Sequence, residues 1–324
     1  MRKSAAAATP RVARTAAARE VAGVVLTHPD RVPYPEQGPT KRDLAQYDEA
    51  VAAWMLPRVA RRPLTLVRCP QGQGGPCSFQ RHATDCTPPA VRPIPIRQDD
   101  GVSHYMSIES VEGLVSLVQM GALESHVWGS RTDDVEHPDR IVLDLDPDPS
   151  VAWPEVVAGA LELRERLADL DLDSFVKTTG GKGLHVVVPI RGRTTWDEAK
   201  AFSRAVAGAV VRDAPDRYAA NWSKAKRHGR TFIDYLRNGR GATAVAPYSS
   251  RARPGAPVAT PLHWKELSAE LRPGAFTVPA FGERLRRLRA DPWKDIASVR
   301  QSITAAMRKK LGLAASRPAA DAAR

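Results

Sequence analysis

The sequence predicts an α+β protein: a mixed β-sheet flanked by helices, preceded by a helix/strand lobe. Three observations point there. Strand-like runs (LTLVR, IVLDLD, LHVVVPI, TFIDYL) intermix with helical patterns, without the strict alternation of a doubly wound parallel sheet. Of 324 residues, 43% are hydrophobic and 26% charged, enough apolar material for a substantial core and unlike a disordered or collagenous chain. No period of 20–50 residues repeats, which excludes a solenoid.

Taken in order, residues 1–19 are an Ala/Arg/Thr-rich basic tail and 20–307 hold the folded part, with a second tail at 308–324. Thr40, with Asp43 three residues on, resembles a capping box. Leu44, Tyr47, Val51, Trp54 and Met55 follow at helical spacing, and Pro57 is the expected stop. LTLVR (64–68) reads as a strand, and 69–90 as a long Gly/Pro/Cys-containing loop. Ser110 caps a helix running to about Met120, and IVLDLD (141–146) is a strand halted by Pro147. Val157, Leu161, Arg164 and Leu167 keep helical step between Pro154 and Leu170.

A strand at 173–178, a Gly-rich turn at 180–183 and a strand at 184–190 come next. Thr195 caps a helix that places Trp196, Ala199, Phe202, Val206 and Val210 on one face. TFIDYL (231–236) and a short run at 242–246 are further strands, and 262–307 reads as short helices.

No run approaches the ~18 apolar residues of a membrane span. The basic N-terminus lacks the apolar segment of a secretory signal. Three cysteines are few and odd in number, which argues against a disulfide framework and for a reducing, cytoplasmic setting. Cys69, Cys77, His82 and Cys86 lack the close Cys pair of a structural zinc site, so no zinc is expected.

Forty-eight Lys and Arg against 36 Asp and Glu give a formal charge of +12, a surface suited to polyanions. Residues 217–253 hold nine Lys/Arg and one acid, Asp234. A basic run by itself is commonly a solvated face. A solitary carboxylate within it is harder to dismiss.

Asp144 and Asp146 stand two apart at a strand end, so both carboxylates point to one side. Crowded carboxylates repel unless a cation neutralises them, and hard divalent ions prefer oxygen donors. With Asp234 on another strand and cations all round, the set suits phosphoryl or nucleotidyl transfer. Two solvated acids at a strand end remain the plain alternative. KTTGGKGLH (177–185) offers glycines that let backbone approach a phosphate, Lys182 as a cation and His185 as a donor. It lacks Walker A spacing, and a Gly-rich hairpin explains it equally well when taken alone. No K-x-D-G run of a nucleotidyl-lysine ligase occurs.

Together, DLDP (144–147), TTGGKGLHVVVP (178–189), the stretch 224–258 and PLTLVRCPQGQGGPCSFQRH (63–82) closely resemble one family. It is the polymerase domain of bacterial ligase D, of non-homologous end joining, within the archaeo-eukaryotic primase superfamily. The likeness runs in order from about Val21 to Trp293. It implies a primase-type catalytic core and template-dependent nucleotidyl transfer, with ribonucleotides favoured. Two metal ions are implied, Mn²⁺ in preference to Mg²⁺, held by Asp144, Asp146 and Asp234.

By the same resemblance, Thr179, Lys182 and His185 fall on a Ser-x-x-Lys-x-x-His triphosphate motif, with Thr replacing the usual Ser. Lys224, Arg227 and Arg251 match basic residues near nucleotide and primer. His126 matches a histidine beside the nucleotide, and Phe79 an aromatic near the incoming base. Arg31 and Lys41 match a pair that grips a downstream 5′-phosphate, Arg standing for Lys at 31. The implied partners are DNA ends or gapped duplex, NTP or dNTP, a Ku-type end-binding protein and a separate ATP-dependent DNA ligase, in a nucleoid-associated cytoplasmic setting. A stand-alone primase or gap-filling polymerase, a non-catalytic end-bridging module and a metal-dependent phosphodiesterase are the competing readings.

Overall fold

The structure, a computed structural model, describes residues 19–36, 38–221, 223, 225 and 227–313. The expected basic tail therefore lies outside the described residues except for Arg19. Among the described residues, no helix is long and apolar enough to cross a membrane.

A short ribbon, β1 (Glu20–Val21) with β2 (Val24–Val25), leads into α1 (Lys41–Val59). Thr40 caps α1 in a capping box with Asp43, as its sequence signature implies. The helix continues through Pro57 to Val59 instead of stopping there. Proline there forfeits one helical hydrogen bond, and burial of Arg58 against Asp291 in the added turn offsets that loss. Strand β3 (Leu64–Arg68), β4 (Ser78–Gln80), β5 (Arg92–Gln98), β6 (Gly101–Ser107), α2 (Val111–Gln119, capped by Ser110) and β7 (Ala122–Trp128) complete the lobe.

The second half follows as β8 (Arg140–Pro147), α3 (Trp153–Ala168), β9 (Phe175–Thr178), β10 (Leu184–Pro189) and α4 (Trp196–Asp213). Then come β11 (Tyr218–Ala219), β12 (Thr231–Asp234), β13 (Thr243–Val245), β14 (Pro261–Leu262), α5 (Phe281–Arg287) and α6 (Ala305–Lys310).

Besides the short ribbon, two six-stranded sheets form. One runs β11-β12-β8-β10-β9-β14, with β11 parallel to β12 and all other pairs antiparallel. The other runs β13-β7-β3-β6-β5, with β4 beside β3. The fold is thus α+β with a mixed catalytic sheet, as the sequence predicts.

Period-two geometry gives the catalytic sheet two unlike faces. Leu143, Leu145, Val186, Val188, Val176 and Ile233 pack into one core with Leu163 of α3 and Phe202 and Val206 of α4. The intervening residues, Asp144, Asp146, Lys177, His185 and Asp234, therefore share the opposite face. The helices dictate which carboxylates are left to do chemistry.

One boundary changes, and one expectation about the cysteines fails. Met307, Leu311 and Leu313 pack on the α3–α4 core, so the folded part extends past 307 and residues 308–313 are no tail. The sulfurs of Cys69 and Cys77 are bonded, against the expectation from cysteine count. The cause is β4: Arg68 pairs with Ser78, which sets Cys69 and Cys77 opposite each other with Cα atoms 4.3 Å apart. The expected structureless loop hides that strand.

Candidate active site

The catalytic strands deliver their polar face to a cavity of about 220 Å³ between the two sheets. Asp144, Asp146, Thr179, Lys182 and His185 form one wall, and His126, Ala244 and Val245 come from β7 and β13 opposite. Arg237, Arg251 and Arg253 complete it.

Asp234 of β12 lies directly across from Asp144 of β8 in the antiparallel register. Arg237 bridges them, its Nε 3.3 Å from an oxygen of each. Asp146 turns to Lys182 Nζ at 3.2 Å, with Arg227 Nη1 at 3.8 Å. Arg227 also lies over the Phe232 ring, 3.6 Å from its centroid. Cations thus occupy every carboxylate. With the side chains so placed, no group of three or more His, Cys, Asp or Glu able to hold a metal ion is assembled among the described residues.

Burial opposes charge on Asp144, but the hydrogen bond from His185 and the positive charge of Arg237 outweigh it and hold the carboxyl well below its usual range. Burial raises Asp234, with Asp144 adding to it and Arg237 opposing. Two carboxylates facing each other therefore share unequal environments. His185 is 3% exposed, Nε2 3.4 Å from Asp144 and Nδ1 buried without a hydrogen-bond partner. Burial and then the nearby Lys177 pull it down to about 4, so the ring is neutral at neutral pH.

The Gly-rich turn closes through Thr179, whose amide and Oγ1 both donate to the Gly183 carbonyl at 3.1 Å. Threonine's hydroxyl therefore builds the turn. Lys182 Nζ also donates to the Pro147 carbonyl, and Arg251 Nη1 to that of Thr179. Gly183 passes so close to β8 that a Cβ there would stand 2.3 Å from the Leu145 carbonyl oxygen.

Glu124, Arg237 and Arg253 were missed as site residues. Glu124 on β7 accepts from His126 Nε2 at 2.8 Å and sits 3.0 Å from Arg251 Nε. Burial raises its carboxyl, but His126 and Arg251 reverse this and bring it to about 2. The Glu-x-His spacing, one strand period, was the available signal. Arg237, three residues after Asp234, was visible only as part of the basic run.

The other expected residues fall elsewhere. Phe79 on β4 is 71% exposed and does not line the cavity. Lys224 lies outside the described residues. Arg31 and Lys41 meet in a separate concavity of about 240 Å³ that Arg68 also lines. Lys41 Nζ donates to Gln119 Oε1 at 2.7 Å and the Thr27 carbonyl at 3.0 Å. Burial first, then Arg31, lower its pKa.

Comparison with known proteins agrees with this arrangement. The family described as LigD, primase-polymerase domain, matches residues 40–293, most of the chain. The chain belongs to that family. It is accordingly a primase-polymerase domain, of the nucleotidyltransferase class. The multifunctional non-homologous end joining protein LigD of Pseudomonas aeruginosa is 40% identical over 292 residues, 90% of this chain and 35% of that protein. The bifunctional LigD of Bacillus subtilis is 29% identical over 263 residues, 81% of this chain and 42% of its own length. The chain thus spans roughly a third to two fifths of these relatives.

Among solved structures, the polymerase domain of Mycobacterium tuberculosis ligase D in complex with DNA superposes with a TM-score of 0.80 at 31% identity. That match covers 85% of this chain and 98% of the other.

Proposed function

We propose that this LigD-type domain adds nucleotides, directed by a template strand, at DNA ends or gaps during non-homologous end joining. The observation that carries the reading is the pairing of Asp144 with Asp234 across β8 and β12, with Asp146 beside them, in a cleft walled by Lys182, Arg251 and Arg253. A pure end-bridging module gains nothing from acids set inside a cationic cleft.

Three hard oxygen donors on one sheet face suit divalent ions, and the ion pairs with Lys182 and Arg237 supply the kind of charge that such ions would replace. Asp144, Asp146 and Asp234 would hold two ions, Mn²⁺ or Mg²⁺. When bound, such ions neutralise charge on the attacking and leaving oxygens. The protein's own groups do the rest. Lys182, Arg251 and Arg253 hold the triphosphate, and Arg227 guards the approach to Asp146. Neutral His185 keeps Asp144 oriented. Glu124 fixes His126 and Arg251 as one unit on the opposite wall. Phe79 offers an exposed π face to a base, and Lys224 and Arg227 assign to the primer side.

Templated extension of a gapped, 5′-phosphorylated duplex with each NTP and dNTP, in Mn²⁺ or Mg²⁺, tests this directly. We expect ribonucleotides and Mn²⁺ to be favoured; no templated addition under any condition would refute the reading. A Ku-type protein and an ATP-dependent ligase are the proposed partners.

Lys182→Ala should raise KM for nucleotide by about 10- to 100-fold, since a charge-assisted phosphate contact contributes roughly 1.5–3 kcal/mol. DNA affinity should change little. Equal losses for both ligands would place Lys182 on nucleic acid.

The Arg31/Lys41 concavity is proposed to take a 5′-phosphate, because an exposed arginine and a half-buried lysine converge there at the start of α1. A gapped duplex bearing a 5′-phosphate should bind more tightly than its 5′-hydroxyl twin. Arg31→Ala/Lys41→Ala should erase that difference. Titrations of both duplexes at one salt concentration decide it.

A further inference from the structure

At the opposite end of β8 and β10 from the carboxylates, a second concavity of about 200 Å³ is lined by five arginines and one acid, Asp139. Arg58 comes from the last turn of α1, Arg62 from the segment before β3, and Arg131 from just after β7. Arg140 opens β8, and Arg191 follows β10. From Arg140 to Asp144 is four strand residues, roughly 13 Å. Val142, Val187, Trp293 and Ile296 pack together on this side of the sheet, at the level between the two sites.

The carboxylates near this wall are already committed. Asp139 accepts from both terminal nitrogens of Arg62, at 2.8 and 2.5 Å, and from Arg140 Nε at 3.2 Å. Asp291 holds Arg58 at 2.9 Å. Asp133, at the rim and 55% exposed, is 3.3 Å from Arg61 and 3.9 Å from Arg131. Arg191 has no carboxylate partner among the described residues; its Nη2 donates to the Ala297 carbonyl.

The wall therefore carries more positive charge than its acids balance, and much of it is withdrawn from water. Arg62 and Arg58 side chains are 2% and 6% exposed, and the Nε of each is buried without a hydrogen-bond partner. Burial, and then Arg62, bring the Arg140 guanidinium down to about 9, although Asp139 opposes this. Like charges packed together in a low-dielectric wall are unfavourable unless an anion joins them. Nothing in the polymerase reading uses this group.

We infer that the concavity is a second oxyanion site that takes a phosphate group, contacted by Arg131 and Arg191 at its mouth and by Arg140 deeper in the wall. Arg58 and Arg62, locked by Asp291 and Asp139, supply a fixed positive field behind them. Planar guanidinium forks match the tetrahedral oxygens of phosphate with paired donors, which a lysine cluster would not. Free phosphate and the backbone of a nucleic-acid strand both present this chemistry.

The test uses the full chain in metal-free buffer and reads binding alone, so it stands whether or not the domain polymerises. Wild type, Arg131→Ala/Arg191→Ala and Lys182→Ala are each titrated with two probes. Inorganic phosphate is followed by calorimetry, and a 5′-hydroxyl single-stranded oligonucleotide by anisotropy across a salt series. A thermal melt checks the fold; should the double variant melt early, Arg191→Gln, at an exposed position, carries the same comparison.

We expect Arg131→Ala/Arg191→Ala to lose about tenfold or more in affinity for at least one probe, at a site that Lys182→Ala retains. Loss for phosphate identifies a free anion as ligand. Loss for the oligonucleotide, with a salt slope shallower by about two, identifies a strand backbone. If wild type binds neither probe outside the cleft, or the double variant binds both as tightly as wild type, the site does not exist.

Discussion

Asp146→Ala should abolish templated nucleotide addition, lowering kcat by at least about a thousandfold, or roughly 4 kcal/mol of transition-state stabilisation. Duplex affinity should stay within about twofold, because the cationic surface and not the carboxylates holds DNA. Asp146 is the clean position for this test. Its side chain is 44% exposed and its partners Lys182 and Arg227 reach solvent, so its loss should cost less than about 1 kcal/mol of stability. Asp144 differs, being 8% exposed and contacted by His185 and Arg237. Removing it would leave the buried His185 ring and Arg237 without their shared partner, so a loss of activity there would mix a structural effect with a chemical one. Primer extension and a binding titration on the same preparation separate the two effects. Wild-type extension by Asp146→Ala would refute the role given to this carboxylate.

Gly183→Ala should be among the most damaging single-methyl changes in the chain. The new Cβ would meet the Leu145 carbonyl at 2.3 Å, a backbone atom that cannot rotate aside. Leu145 lies between Asp144 and Asp146 and pairs with Leu184, so relief of the clash requires β10 to part from β8. That separation breaks ladder hydrogen bonds, opens the Thr179–Gly183 turn, and displaces Asp146 from Lys182 and Asp144 from His185. A stability loss of about 3 kcal/mol or more is expected, at the upper end for overpacking. Urea unfolding measures it, and extension at low temperature should show lost activity even where the variant remains folded. Unchanged stability and activity would mean that Gly183 does not approach β8 as described.

Much of this site was legible because its logic is periodic. Alternation along β8 sends Leu143 and Leu145 to the helices and leaves Asp144 and Asp146 together, which sequence spacing alone predicts. The caps at Thr40, Ser110 and Thr195 were readable for the same reason: a local hydrogen bond leaves a local signature.

What stayed hidden depends on long-range pairing. Strands β5 and β6 were missed since Pro93 and Pro95 suggest a loop, yet β5 is an edge strand, where proline is tolerated. Strand β7 was missed because Glu124 and Ser125 look like surface residues. Glu124 is buried because His126 and Arg251 neutralise it from either side. The Cys69–Cys77 bond was invisible until β4 set the two residues opposite each other. Arg237 gave no individual signal among nine basic residues; only the facing of β12 and β8 shows that it bridges two carboxylates.

Asp144, Asp146 and Asp234 are proposed to hold two divalent cations together. A Mn²⁺ titration followed by electron paramagnetic resonance, with the metal as sole ligand, tests it without relying on activity. Wild type should bind Mn²⁺ saturably, and Asp144→Asn/Asp146→Asn/Asp234→Asn should lose that binding. Arg31→Ala/Lys41→Ala should retain it. Mn²⁺ binding by the triple variant equal to that of wild type would contradict the account.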